Sequence, residues 1–213
     1  MTADAAREVL TRVRLADLVT IDPETLSPVA TPLPLLYDPG LGEYGTFTGH
    51  VSRTNPQWRH EPYPALVLVR GGDAYVTPDW YPNYSAGGAE VPTWDYEVVQ
   101  ATGALTAHED PAWLERHVRE LAARYDPAYE LDRGERRLLD GQLRAIVGVE
   151  ICVSSVVGKS KLSQNRSVAE IHGVADGLDA QGRADLADRI RSVALPHAEA
   201  REARVAAARD RRG

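Results

Sequence analysis

The 213-residue chain contains 43% hydrophobic residues, which is enough to bury the core of one ordinary domain. Its formal net charge of -7 opposes non-specific attraction to DNA, because phosphate binding needs a basic surface. The single cysteine, Cys152, excludes an internal disulfide, a zinc site of several thiolates and a covalently attached haem.

The apolar segments indicate where the protein is located. The longest, ALVLV and IVGVEICVSSVV, fall short of the roughly 20 residues that cross a bilayer. Met1 is followed by TADAAREVL, which lacks the basic and apolar pattern of a signal peptide. We therefore expect a cytoplasmic protein that binds neither membrane nor nucleic acid.

The first three quarters of the chain are typical of a β-rich fold. Segments bounded by Gly, Pro, Asp or Asn predict strands at 16–21, 28–37, 43–51, 63–69, 73–78, 91–106 and 144–157, enough for a barrel. In the second of these, Pro32 and Pro34 lie two residues apart, so their missing N–H groups face one side. This predicts an open sheet edge, which a ligand or a partner subunit would cover.

The last predicted strand alternates with a period of two. One face carries Val147, Val149, Ile151 and Val153. This pattern predicts a half-buried strand, with Glu150 and Cys152 on the opposite face. We interpret Cys152 as a small buried residue, with a thiolate ligand to a metal as the alternative.

Capping residues predict helices between and after the last strands. Asp110 followed by Pro111 is typical of an N-cap and a first helical turn, and the segment from Ser167 to Glu170 is a capping box. A further apolar stripe predicts a helix that stops before Pro196. The expected organisation is therefore one domain at 1–195 and a partly exposed helical tail at 196–213 with a frayed basic end.

Three polar segments are candidates for a functional site. GHVSRTNPQW puts His50 at the end of a strand, and VPTWDYEVV puts Trp94 and Asp95 on opposite faces of another. GKSKLSQNRS is a polar loop that contains Lys161 and Gln164. Each has a structural interpretation by itself. A lone histidine usually forms internal hydrogen bonds, strand aromatics usually lie in the core, and a basic loop is usually solvated.

In combination the segments are more specific. GHVSRTNPQW, YVTPDWY, VPTWDYEVV and GKSKLSQNRS occur in this order and resemble the PaiB-like family, usually described as FMN-binding negative transcriptional regulators. The resemblance runs from about Leu18 to Leu178. It implies an α+β fold with a split β-barrel of the FMN-binding or pyridoxamine-oxidase-like kind, peripheral helices and a helical C-terminal extension. It also implies a homodimer with the cofactor in the subunit interface.

The sequence departs from this family in its charges. Relatives commonly carry a lysine and a histidine after WYP, where this chain has NYSAGGAE, and many carry a histidine at the position of Thr31 or Pro32. Their VPTWNY is VPTWDY here, so that Asp95 replaces a neutral amide. A site for the flavin phosphate needs positive charge, so these changes disfavour FMN.

The charge changes favour one branch of the family, the haem-dependent piperazate synthases, which close N5-hydroxyornithine into a six-membered ring through an N–N bond. That resemblance implies haem b, with His50 as the axial ligand to iron. Arg53 would pair with a haem propionate or the substrate carboxylate, and Asp95 would bind the α-ammonium or take its proton. The other implied cofactor contacts are Thr31, Val51, Ser52, Trp94, Lys161 and Gln164.

Several alternatives remain open at this stage. Trp94 is either a core residue or a residue beside the cofactor, and Lys161 is a propionate partner, a second axial donor or a structural residue. The alternative function is an FMN-binding protein, either flavin-reductase-like or a transcriptional regulator. An absorption spectrum distinguishes the red haem protein from the yellow flavin protein.

Overall fold

The computed structural model describes residues 1–60 and 64–210. Its strands are β1 (Leu15–Ile21), β2 (Pro28–Pro34), β3 (Leu36–Asp38), β4 (Thr46–Ser52), β5 (Ala65–Val76), β6 (Thr93–His108) and β7 (Ile146–Lys161). Within the described residues they form one sheet with the order β2-β1-β5-β6-β7-β4-β3. The predicted strands at 63–69 and 73–78 are the single strand β5, and Tyr63 lies outside the described residues.

The helices are α1 (Ala3–Thr11), α2 (Pro82–Ser85), α3 (Pro111–Tyr125), α4 (Arg136–Arg144), α5 (Val168–Ala180) and α6 (Ala184–Asp210). Short 3₁₀ helices span Pro56–Arg59, Pro78–Trp80 and Leu131–Arg133. The predicted α+β class is confirmed. Across residues 1–60 and 64–210, no helix combines the length and the apolar content that a membrane crossing requires.

The chain divides into two compact units. Unit 1 comprises residues 1–70 and 98–158, and unit 2 comprises residues 71–97 and 159–213, of which the structure describes those up to 210. Strands β5, β6 and β7 each pass from one unit into the other. The expected domain limits of 1–195 and 196–213 stay a prediction.

The core of unit 1 confirms the alternation predicted for β7. The side chains of Val149 and Ile151 are fully buried among apolar residues of β1, β4 and β5. The prediction that Cys152 is buried is wrong, since its side chain is exposed. The cause is the alternation itself, because the face opposite the valines is also exposed at Ser154.

The Pro-containing strand lies where its sequence predicts. β2 is at one end of the sheet and pairs antiparallel with β1, with Pro32 opposite Asp17 and Pro34 opposite Leu15. An edge strand tolerates proline because its outer side needs no N–H donors. The prediction of an open edge is confirmed, and whether a ligand or a subunit covers it stays a prediction.

Unit 2 confirms the capping box and corrects the helix end. The side chain of Ser167 accepts from the backbone of Glu170, whose carboxylate accepts from the backbone of Ser167. The prediction that a helix stops before Pro196 is wrong, because α6 continues to Asp210. Proline inside a helix costs roughly 3 kcal/mol, but Ala194 and Ala198 on either side of it are fully buried in the core of unit 2.

The exposure of Pro196 limits that cost. Pro196 and Ser192 both lie on the exposed side of α6. The Ser192 carbonyl, which loses its helical donor to the proline, can therefore bond to water. The predicted helical character of the segment after Pro196 is confirmed as far as Asp210. The expected frayed end at 211–213 lies outside the described residues.

Candidate functional site

His50 forms a pair with a second histidine of unit 1. It lies on β4, and its Nδ1 is 3.2 Å from Nε2 of His117 on α3. The two rings meet edge to face with their centroids 5.4 Å apart. Helix α3 begins at the predicted cap, where Asp110 accepts from the backbone of Trp113 at 3.1 Å. Sequence reasoning treated His50 as a lone imidazole and missed His117.

Burial keeps this pair neutral. It lowers the pKa of His50 from 6.5, and burial together with His50 lowers the pKa of His117 to about 4. His117 is 3% exposed, and its Nδ1 is fully buried without a hydrogen bond. Nε2 of His50 forms no hydrogen bond within the described residues and is not among the fully buried unpaired polar atoms. This nitrogen therefore keeps contact with solvent.

An indole ring and a third imidazole extend the cluster. Trp113 stacks on His117 with the ring centroids 5.4 Å apart, and on His108 with the centroids 4.2 Å apart. Nε2 of His108 lies 3.6 Å from Oε2 of Glu150. A Cβ at Gly148 would come within 2.2 Å of the indole, so a glycine is required where Trp113 lies against β7. The predicted Glu150 face is thus part of the same cluster.

The residues that follow His50 have different environments. Val51 is buried in the core of unit 1. Ser52 is exposed, and its Oγ lies 2.8 Å from the hydroxyl of Thr54. This alternation follows from the strand geometry of β4. Their assignment as cofactor contacts stays a prediction.

Arg53 ties the end of β4 to the start of β7. Its Nε donates to the carbonyl of Arg144 at 2.8 Å, and one terminal nitrogen donates to the carbonyl of Ile146 at 3.1 Å. The other terminal nitrogen pairs with Glu109. The side chain remains partly exposed. Its predicted role with a carboxylate or a propionate stays a prediction, and the contacts give it a structural role as well.

Thr31 belongs to a polar cluster around Gln57, a second residue that sequence reasoning missed. Thr31 donates to the Oε1 atom of Gln57 and accepts from Asn55 at 3.0 Å. The fully buried amide nitrogen of Gln57 donates to the carbonyls of Val29 at 3.0 Å and Leu18 at 3.2 Å. The cluster thus joins β1, β2 and the 3₁₀ helix. The available signal was Asn55-Pro56, since Asn55 caps that helix.

In unit 2 the acidic side of VPTWDYEVV is the buried side. Asp95 is 1% exposed, whereas Trp94 is 51% exposed. The interpretation of Trp94 as a core residue is therefore wrong. Its indole nitrogen donates to Asp73 at 3.0 Å, and its ring meets Tyr75 edge to face. Because β6 alternates, placing the aromatics outside places the carboxylates inside.

Asp95 is supported by the GKSKLSQNRS loop. Its Oδ2 accepts from Ser163 at 2.7 Å, and its Oδ1 lies 3.6 Å from Nζ of Lys161. Burial raises the pKa of Asp95, while the Ser163 hydrogen bond and the Lys161 charge oppose that shift. Ser163 has a φ of 59°, a left-handed conformation that is strained for serine. Oδ1 of Asp95 and the hydroxyl of Tyr81 are both fully buried without a hydrogen bond.

Lys161 bonds to β6, whereas the amide of Gln164 bonds within its own loop. Lys161 donates to the hydroxyl of Thr93 and to the carbonyl of Trp94. The amide of Gln164 accepts from the backbone of Leu162 at 2.9 Å and donates to the carbonyl of Ser160 at 3.1 Å. The Gln164 contacts close the loop, and the Lys161 contacts attach it to β6.

The predicted site residues fall into two sets. Unit 1 holds Thr31, His50, Val51, Ser52 and Arg53, and unit 2 holds Trp94, Asp95, Lys161 and Gln164. Each set is assembled within its own unit. In the described part of the chain, no three His, Cys, Asp or Glu side chains converge as a metal site.

Comparison with known proteins identifies the fold and the family. Residues 1–155 match the family described as "Putative FMN-binding domain". The protease synthase and sporulation protein PAI 2 of Bacillus subtilis is 32% identical over 160 residues, which cover 71% of this chain and 72% of that protein.

Solved structures agree on the fold. The FAD and haem binding protein of Mycobacterium smegmatis has a TM-score of 0.54 at 18% identity, covering 75% of this chain and 71% of that one. The flavocytochrome Anf3 of Azotobacter vinelandii has a TM-score of 0.53 at 13% identity, covering 74% and 66%. The predicted split-barrel class is confirmed.

Proposed function

The chain belongs to the PaiB-like family of FMN-binding split-barrel proteins, and we propose that it binds haem b with His50 as the ligand to iron. The observation that carries this proposal is the state of His50. Burial lowers the pKa of its imidazole, Nδ1 contacts His117, and Nε2 has no hydrogen bond within the described residues. A neutral imidazole with one accessible nitrogen is the usual protein donor to haem iron.

The reaction that we propose is the closure of N5-hydroxyornithine to piperazate with loss of water. The α-nitrogen attacks N5, the N–O bond breaks, and the hydroxyl leaves with a proton as water. When bound, the haem iron would supply Lewis acidity toward the N–O bond.

The proposed acceptor of the proton that the α-ammonium must lose is Asp95, a role that rests on the chemistry of unit 2 alone. Burial raises its pKa above that of an ordinary aspartate, which makes its carboxylate a stronger base. Lys161 and Ser163 favour the ionised form that accepts the proton. Arg53 is the proposed partner of the substrate carboxylate, because a guanidinium matches a carboxylate in charge and shape.

The proposal is tested by adding hemin to the purified protein. We expect a red protein with a Soret band at one haem per chain, which converts N5-hydroxyornithine to piperazate as followed by mass spectrometry. His50→Ala should lose the Soret band, whereas the control His172→Ala, an exposed histidine of α5, should retain it. A wild-type protein that takes up no hemin, or a His50→Ala variant that binds it normally, contradicts the proposal.

A second candidate is FMN binding, which the description of the family favours. A protein with this fold is described as binding both FAD and haem, so the fold is compatible with either cofactor. A flavin protein would purify yellow, and His50→Ala would retain FMN. If it acts as a transcriptional regulator, the protein would shift a DNA fragment at low salt, where phosphate attraction is strongest.

A homodimer with the cofactor in its interface remains part of the proposal. The support is the Pro-containing edge strand β2, which is open in the single chain. Light scattering after size exclusion should give twice the chain mass. A monomer that retains its cofactor would contradict an interface site.

A further inference from the structure

His117 has the position of a residue that acts through His50. Its Nε2 contacts Nδ1 of His50, and its own Nδ1 is buried without any hydrogen bond. A buried ring nitrogen without a partner is costly. Among the described residues, the contact with His50 is the single hydrogen bond that this buried imidazole makes.

The contact allows two arrangements of one proton. In the first, His50 donates from Nδ1, and the lone pair of His50 lies on Nε2. In the second, His117 donates from Nε2, and the proton of the neutral His50 ring lies on its Nε2. A metal can bind Nε2 of His50 only in the first arrangement, in which His117 is the acceptor.

The surroundings of His117 hold its ring in one orientation. Trp113 stacks on it with an interplanar angle of 20°. The indole in turn lies against Gly148, where a side chain would collide with it. The acceptor nitrogen thus has a fixed direction toward β4.

We propose that His117 is a positioning residue, which engages Nδ1 of His50 and so leaves Nε2 as the nitrogen that faces a metal. The identity of that metal as haem iron rests on the proposed function. The hydrogen bond itself does not, and it is measurable in the protein without any cofactor. A partner of this kind orients a ligating imidazole and raises its basicity.

The first experiment uses the cofactor-free protein labelled with ¹⁵N-histidine. We expect a coupling across the hydrogen bond between Nδ1 of His50 and Nε2 of His117, with the proton directly bonded to Nδ1 of His50. A proton bonded to Nε2 of His117 instead would overturn the proposal. The coupling should vanish in His117→Leu and persist in His172→Leu, which removes an exposed imidazole of α5. Wild-type spectra without this coupling overturn the proposal, whatever cofactor the protein binds.

The second experiment uses hemin. His117→Leu should weaken hemin binding by roughly 10- to 100-fold and lower the iron–imidazole stretching frequency of the reduced protein. His117→Gln, which keeps an acceptor oxygen, should restore most of the hemin affinity and of the stretching frequency. The control His172→Leu should match the wild type in both. Wild-type affinity and frequency in His117→Leu overturn the proposal. If the wild type takes up no hemin, the proposed function fails, and the position of the shared proton in the cofactor-free protein still decides the role of His117.

Discussion

The two units bury polar groups in opposite ways. Unit 1 buries neutral rings, the imidazoles of His50 and His117, whose pKa values are lowered. Unit 2 buries carboxylates, those of Asp95 and Glu97, which need cations and hydroxyls nearby. Burial of a neutral polar group costs less free energy than burial of a charge, which must be paired. Unit 1 is thus suited to offering a lone pair and unit 2 to holding or accepting a proton.

The largest expected effect comes from unpairing a buried charge in unit 2. Both nitrogens of Arg189 that contact Glu97 lie within 3.0 Å of its carboxylate. Arg189→Leu should lower the free energy of unfolding by roughly 3 to 5 kcal/mol, because Glu97 stays buried without its partner. The control Arg191→Leu on the same helix removes more exposed ion pairs and should cost less than about 1 kcal/mol. Urea denaturation that gives the two variants equal losses in the free energy of unfolding would contradict this difference between a buried and an exposed ion pair.

In unit 1 we expect the free energy of unfolding to depend on pH. His117 has a folded pKa of about 4 against 6.5 for an unperturbed histidine. The unfolded chain therefore binds the proton first, and stability present above about pH 6.5 is lost as the pH falls toward 4. The loss in the cofactor-free protein should be roughly 3 kcal/mol. His117→Leu should remove most of this acid-dependent loss. A variant whose free energy of unfolding falls with pH as steeply as that of the wild type would contradict the prediction.

The Arg53 contacts predict a moderate effect on unit 1. Arg53→Gln should lower the free energy of unfolding by about 1 kcal/mol, since the side chain is partly exposed and its bonds to Arg144 and Ile146 compete with water. Arg70→Gln is the matched control, because Arg70 forms a more exposed ion pair with Asp17. An unchanged free energy of unfolding in Arg53→Gln would contradict the structural role of this side chain.

In unit 2 the expected pH dependence has the opposite sign. Because burial raises the pKa of Asp95 above 3.8, the folded state binds the proton more tightly than the unfolded chain. Stability from this group is therefore lost as the pH rises through the folded pKa. Asp95→Asn removes this loss, so its melting temperature relative to the wild type should increase with pH. A difference in melting temperature that stays constant with pH would contradict the raised pKa of Asp95.

The smallest expected effect is at Cys152. Cys152→Ser should change the free energy of unfolding by less than about 0.5 kcal/mol, because the side chain is exposed. In the monomeric native protein, a thiol reagent should label Cys152 without denaturant. Labelling that requires unfolding would show that another surface covers this face of β7.

Local patterns predicted the strands and caps, and long-range contacts explain the misses. The alternation in β7 and the capping box at Ser167 are readable because each depends on neighbours in sequence. His117 lies 67 residues from His50, so no local pattern links them. Pro196 stops an isolated helix, and here the burial of Ala194 and Ala198 overrides it.

The same limit applies to the candidate site. The sequence identified His50 and Asp95 as chemically informative, but it gave no sign of which face of β6 would be buried. Aromatic residues usually mark the core side of a strand. Here Trp94 lies outside, since Asp95 has Ser163 and Lys161 as partners on the inner side.

The two ends of the sheet limit how this protein can assemble. One end is β2 with Pro32 and Pro34, and the other is the three-residue strand β3. Neither offers a long row of free N–H and C=O groups, which protects the protein against fibril formation through backbone pairing. A subunit that approaches β2 must recognise side chains and shape, so mutations of surface residues there can alter assembly while leaving the sheet intact.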